Sequence, residues 1–239
     1  MTLDSPPSMT ETTLLVVPMS IVGNWKREAK KFAPSLKVVV HHGPERRTGE
    51  SFLTAALESD LVVTTYALAH RDSDVMEQVQ WRRLVLDEAQ NVKNPHAKQS
   101  QAVRRLDAPR RVTLTGTPLE NRLSELWSIM DFCNPGLLGT QGEFRRLFGV
   151  PIERHRDPLP RGRLRELVRP FILRRLKTDP KVITDLPDKV ETKEYCRLTR
   201  EQASLYEDAV KTMLAEVERT EGIQRRGMVL TTLVRLKQI

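Results

Sequence analysis

Long apolar runs are missing from this sequence: no stretch approaches the roughly 18 consecutive apolar residues that a membrane span requires. The opening MTLDSPPSMTETT is polar and acidic, not a basic stretch followed by an apolar one. A cytoplasmic chain with no membrane partner is therefore expected. Cysteine is scarce too: Cys133 and Cys196 lie far apart and share no ligand spacing, which excludes a disulfide framework or a zinc site and predicts buried free thiols in a reducing compartment. The adjacent His41 and His42 lack partner spacing for a metal, and no chemistry is assigned to them. Internal repeats and low-complexity tracts are absent, and no Gly-Lys-Thr or Gly-Lys-Ser run occurs.

What is present reads as a folded globular chain, with 39% hydrophobic and 29% charged residues in 239. The net charge of +8 is unevenly placed. Residues 1–100 hold 12 basic and 12 acidic side chains, and residues 178–239 hold 11 of each. The whole excess lies in residues 101–177, where 15 of the 16 basic residues are arginine. A planar guanidinium suits phosphate oxygens, so this segment is a candidate polyanion surface; a solvated Arg-rich face is the alternative.

Five short β-branched runs read as strands: residues 13–18, 37–42, 60–66, 83–88 and 111–116. They are continuous and separated by helix-like stretches, which predicts an α/β fold with a parallel sheet covered on both faces. Ser20 can cap a helix with Val22, Trp25, Ala29 and Phe32 on its apolar side and Lys26, Arg27, Lys30 and Lys31 elsewhere. Asn94-Pro95 reads as a second helix start. Thr117 and Glu120 form a capping box with Pro118 at the first helical position, ahead of a stripe of Leu119, Leu123, Leu126, Trp127 and Met130. Residues 151–163, with three prolines, read as a loop, and Pro170 interrupts or starts an element in the basic, partly helical stretch 164–176. Thr199 and Gln202 cap a long helix carrying Leu205, Tyr206, Ala209, Val210, Met213, Leu214 and Val217.

Two of these strand ends carry chemistry. In LVLDEAQ (84–90) two carboxylates follow an apolar strand, where Asp87 can meet a magnesium ion held by nucleotide phosphates and Glu88 can orient or deprotonate an attacking water. Alone, such a run also fits a plain surface turn. In LTGTPLEN (114–121) the hydroxyls of Thr115 and Thr117 flank Gly116 and can sense a nucleotide site across the strand ends; a well-capped structural helix is the other reading. The order of the two motifs is more specific than either. Trp25 invites a base-stacking role, but its place on the apolar stripe favours core packing.

Across almost its whole length the sequence resembles the Swi/Snf branch of superfamily-two helicase-like ATPases, especially bacterial members. LLVVPMSIVGNWKREAKKF resembles motif Ia, HHG the signature after the next strand, LVVTTYALAHRD motif Ib, DEAQNVKN motif II and LTGTPLENRLSELWSIMDFCNPGLLG motif III with its extension. RPFILRRLKTD, LPDKVE and LTREQASLY resemble the branch-specific segments that follow. The resemblance implies a RecA-like lobe that closes with a second lobe on ATP and magnesium and steps along duplex DNA without sequence preference. It assigns the magnesium to Asp87, water activation to Glu88, and coupling between motifs II and III to Gln90, Thr115, Gly116 and Thr117. Pro18, Met19, Ser20, Thr65 and Asn121 fall where the family faces the DNA backbone.

The family's phosphate-binding loop precedes motif Ia, and no match to it stands among the residues before Thr13. The expected organisation is a disordered N-terminus (1–12), a partial RecA-like lobe (13–135), a helical protrusion and return segment (136–198), and the helical start of a linker to a second lobe (199–239). Three readings stay open: a fragment of a nucleoid-associated translocase, inactive alone; a non-catalytic DNA- or partner-binding module; or one half of a split ATPase whose second lobe is on another polypeptide.

Overall fold

Each of the five apolar runs forms a strand: β1 (Thr13–Val17), β2 (Val38–Val40), β3 (Leu61–Thr65), β4 (Arg83–Asp87) and β5 (Arg111–Leu114). The computed structural model describes residues 12–117, 122–175, 190–219 and 221–238. They fall into two compact units, residues 1–174 and 175–239. In the first unit all neighbouring strands pair in parallel, in the order β2-β3-β1-β4-β5.

Side chains alternate across a strand, so each run serves two faces. Leu14, Val16, Val62, Leu84 and Leu86 share one core with helices α2 (Gly49–Leu57), α3 (Tyr66–Arg71), α5 (Lys98–Arg105) and α6 (Leu123–Cys133), through Phe52, Tyr66, Val103 and Phe132 among others. The short α4 (Ser73–Met76) adds Met76 to that core. On the other face Leu15, Val17 and Val63 pack with Val22 of α1 (Val22–Phe32), beside the half-buried Trp25 and Val85. That face is not covered throughout. On the edge strand β5, Val112 and Leu114 are 41% and 38% exposed, so among the described residues two-sided cover extends over β1 and β3 and stops short of β5.

Helix starts depart from the sequence reading where a turn intervenes. Met19–Ile21 forms a single 3-10 turn, and α1 begins after it with Ile21 at the N-cap and no side-chain cap, so Ser20 does not cap it. Phe32, expected on the apolar side, is the last residue of α1 and lies 71% exposed. Asn94 accepts the His96 N–H at 3.0 Å and thereby closes a turn; α5 begins only at Lys98. The capping box at Thr117 rests on Pro118 to Glu120, outside the described residues, as does Leu119. From Leu123 onward the expected stripe is buried, and Leu123, Leu126, Trp127 and Met130 form a second cluster with Leu138, Phe144, Leu164 and Val168. Glu153 Oε1 accepts the Leu123 N–H at 2.6 Å, satisfying one of the free donors of the α6 N-terminus.

The proline-rich stretch read as a loop is helical. After α7 (Gln141–Phe144), capped by Thr140 and Glu143, and a π turn at Arg145–Gly149, it forms α8 (Val150–His155) and α9 (Pro158–Val168). Pro158 and Pro160 sit in the first turn of α9, where no intrahelical N–H is required, so they start a helix and do not break one; Pro151 follows directly on the π turn, as the second residue of α8. Pro170 lies in the 3-10 turn Arg169–Phe171 that ends the segment.

Thr12, placed in the expected disordered N-terminus, is buried, its hydroxyl 2.8 and 2.7 Å from the carbonyls of Ala56 and Ser59; residues 1–11 lie outside the described ones. Cys133 is half-buried near Thr113, but Cys196 is exposed, contrary to the expectation of two buried thiols. In the second unit the expected Thr199–Gln202 capping box opens α10 (Arg200–Val217), which packs on α11 (Gly222–Leu236). Ala209 is buried there, while Leu205, Tyr206 and Leu214 are exposed.

Candidate functional site

Ligands of open parallel sheets bind outside the carboxyl ends of the strands, and the strand register carries the sequence motifs to that edge. Val17 lies beside Thr65, Val16 beside Leu86, and Asp87 beside Leu114. Pro18, Tyr66, Glu88 and Thr115 therefore leave the sheet at one edge, and the two motifs that the sequence sets 28 positions apart stand side by side.

Asp87 is half-buried with both carboxylate oxygens engaged. Oδ1 accepts the Glu88 N–H at 2.8 Å, and Oδ2 accepts the Trp25 indole Nε1–H at 2.7 Å. The buried Tyr66 hydroxyl donates to the Asp87 backbone carbonyl at 2.7 Å. Burial first, then the charges of Asp87 and Glu88, push the Tyr66 phenol well above its usual range, so it remains a donor at neutral pH. Neither aromatic was assigned here from the sequence, which placed Trp25 in the core. The parity of β4 holds the signal: Val85 and Asp87 face the side on which α1 packs.

Glu88 adopts a left-handed conformation, φ 50° and ψ 57°, which turns the chain sharply from β4 into a 3-10 turn, Ala89–Val92. The buried Ala89 and Val92 anchor that turn and leave Gln90 exposed. A non-glycine residue held in this region stores about 1–3 kcal/mol of strain, a pattern concentrated at functional sites. On the adjacent strand end Thr115 Oγ1 accepts the Thr117 N–H at 3.1 Å, with Gly116 and Thr117 exposed.

Of the residues expected to face DNA, Met19 and Ser20 are exposed on the 3-10 turn and Pro18 is half-buried before it. Thr65 is not available: it is 5% exposed, and its hydroxyl caps α3 by accepting the Leu68 N–H at 3.3 Å. A helix starting directly at a strand end needs that cap, and the need overrides a surface role for the side chain. Asn121 lies outside the described residues.

Among the described residues no group of three or more His, Cys, Asp or Glu side chains could hold a metal. An all-protein cage does not fit. The hard carboxylate oxygens of Asp87 fit a magnesium ion that arrives with phosphates, since such ions take only one or two protein carboxylates and complete their shell from phosphate and water. His41 belongs to a structural cluster: its Nε2 lies 2.8 Å from Asp72, which Arg46 grips through Nε and Nη2 at 2.7 and 3.1 Å. This ties the loop after β2 to the end of α3. A cleft of about 590 Å³ is lined by Arg122 and Ser124, from the extension of the 114–139 motif, with Phe144, Arg145 and Arg154 among others; Asp87, Glu88 and Thr115 to Thr117 do not line it.

The model of the SNF2-related domain matches residues 1–239. The chain belongs to this family. It is 47% identical over 95% of its length to YwqA of Bacillus subtilis, a protein named for ATP-dependent helicase/translocase function, of which it covers 24%. With the TATA-binding protein-associated factor mot1 of Schizosaccharomyces pombe it shares 35% identity over 93% of its length and 12% of the relative's. The solved SWI2/SNF2 ATPase core of Sulfolobus solfataricus in complex with dsDNA superimposes with a TM-score of 0.65 at 43% identity, covering 96% of this chain and 47% of the archaeal one. A second structure, of the SWI2/SNF2 ATPase core domain of the same organism, gives 0.63. The chain thus spans about a quarter of the Bacillus relative and about half of the archaeal core, and its parallel sheet with flanking helices is the RecA-like lobe of this family.

Proposed function

We propose that these residues form part of the first motor lobe of a DNA-dependent ATPase that couples ATP hydrolysis to movement on duplex DNA. The observation that carries the reading is the adjacency of Asp87 and Glu88 at the end of β4 to Thr115, Gly116 and Thr117 at the end of β5. In this reading Asp87 holds the nucleotide's magnesium, which when bound neutralises charge on the phosphates. Glu88, presented by its left-handed turn, orients or deprotonates the attacking water. Thr115 to Thr117 respond to the nucleotide and, with Gln90, link the two strand ends. Pro18, Met19 and Ser20, on the turn before α1, and Asn121 meet the DNA backbone without reading its sequence.

The phosphate-binding loop and the second lobe then come from polypeptide outside these 239 residues. The proposed division into a RecA-like part (13–135), a helical protrusion and return (136–198) and a linker start (199–239) follows the same reading. Exchange of residues 13–239 for the matching segment of the Bacillus relative tests it. The chimera should retain DNA-stimulated ATP hydrolysis, and Glu88→Gln within it should lower turnover by roughly 10²–10⁴-fold, the range of a lost general base. Unchanged turnover in that variant would remove Glu88 from the chemistry.

A further inference from the structure

Trp25 links the exposed turn before α1 to the end of β4. The turn Met19–Ile21 runs into α1 without slack: the Ile21 N–H bonds to the Pro18 carbonyl at 3.1 Å, and the Val22 N–H bonds to the Met19 carbonyl. Trp25 follows in the first turn of α1, and its indole reaches Asp87. The other two tryptophans use their indole N–H differently. Trp81 donates to the Met76 carbonyl at 3.1 Å and Trp127 to the Gly139 carbonyl at 3.0 Å, which simply satisfies a buried donor. Trp25 donates to an ionised group, a shorter and stronger bond that fixes which way the carboxylate faces.

We propose that Trp25 is a positioning residue linking duplex DNA seated on the Met19–Ser20 turn to the Asp87 carboxylate, with Tyr66 holding the same strand end from the β3 side. The inference rests on the reading of Asp87 and of the Met19–Ser20 turn given above. A rigid turn, one helical turn and one charge-assisted hydrogen bond make a contiguous route from the exposed backbone to the carboxylate, so a shift of the turn reorients the carboxylate before any larger movement is needed. A phenylalanine at position 25 would pack a similar ring and transmit nothing, because the link is the indole proton.

Proton–nitrogen correlation spectra of the ¹⁵N-labelled chain test this, with the Trp25 indole signal assigned through Trp25→Phe and those of Trp81 and Trp127 as internal references. Saturating blunt duplex should move the backbone amides of Met19 and Ser20 together with the Trp25 indole signal, slow or speed the exchange of that indole proton with water, and leave the other two indoles in place. Asp87→Asn keeps an acceptor and removes its charge. It should shift the Trp25 indole signal before DNA is added and cut the DNA-induced shift at least by about half. Amides at Met19 and Ser20 that move while the Trp25 indole stays fixed would overturn the link and leave the DNA-facing turn intact. No movement at Met19 and Ser20 on addition of duplex would overturn both.

Discussion

Glu88 concentrates the conflict between folding and chemistry in one residue. Its backbone sits where glycine is at ease and a glutamate is strained. Glu88→Gly should therefore raise stability by about 1 kcal/mol while removing the proposed water-activating carboxylate; denaturant midpoints of the two proteins check this, and a loss of stability would mean that the glutamate side chain contributes more than its backbone costs. His41 and Asp72 set a second residue-level expectation. Burial lowers the His41 pKa, so the folded protein binds its proton less readily than the unfolded chain, and stability falls as pH drops from the ordinary histidine range through the folded value. The Arg46 hydrogen bond chiefly lowers the Asp72 pKa, giving stability that is present above the ordinary carboxylate range and lost as pH falls through the folded value. Arg46→Met should flatten that acid limb, as measured by thermal unfolding across pH.

At the scale of elements, the strands were legible because a continuous β-branched run bounded by helix signals has one good solution, a strand in a parallel sheet. All five appear where the runs stand. Helix starts were less legible. Ser20 and Asn94 have the right side chains for caps, but a 3-10 turn and an Asn-closed turn take those positions, and only the three-dimensional path of the chain decides between these uses. The prolines at 151, 158 and 160 looked like breakers because spacing alone does not distinguish a loop from a helix start, as at 158 and 160, or from a place just after a π turn, as at 151. Asp87 and Glu88 could be read from their place after a strand; the grip of Trp25 and Tyr66 on Asp87 could not, since it joins residues 62 and 21 positions apart. One element-level prediction concerns the edge strand. Because Val112 and Leu114 are exposed on β5, Val112→Lys should change stability by less than about 0.5 kcal/mol and reduce self-association in sedimentation experiments, as charge on an edge strand does. A large loss of stability would show that this strip is covered in solution.

At the scale of the whole molecule, the excess of positive charge in residues 101–177 predicts duplex binding that is indifferent to sequence. Its affinity should fall by about 100-fold or more between roughly 50 and 200 mM salt, because counterion release dominates such contacts. Filter binding across salt concentrations checks this, and a flat profile would contradict it. The 239-residue chain by itself should show no DNA-stimulated ATP hydrolysis, since it carries no Gly-Lys-Thr or Gly-Lys-Ser run to cradle phosphates; turnover abolished by Glu88→Gln in the isolated chain would contradict that.

Helix α6 has a different kind of consequence. Ile129 and Phe132 belong to the core under the sheet, while Leu123, Leu126, Trp127 and Met130 belong to the cluster built with α7 and α9. Opening either cluster thus strips this one helix of the packing on one side and loosens its hold on the other cluster. Residues 12–174 should accordingly behave as a single cooperative foldon, with amide protons of β4 and of α9 exchanging at nearly the same free energy.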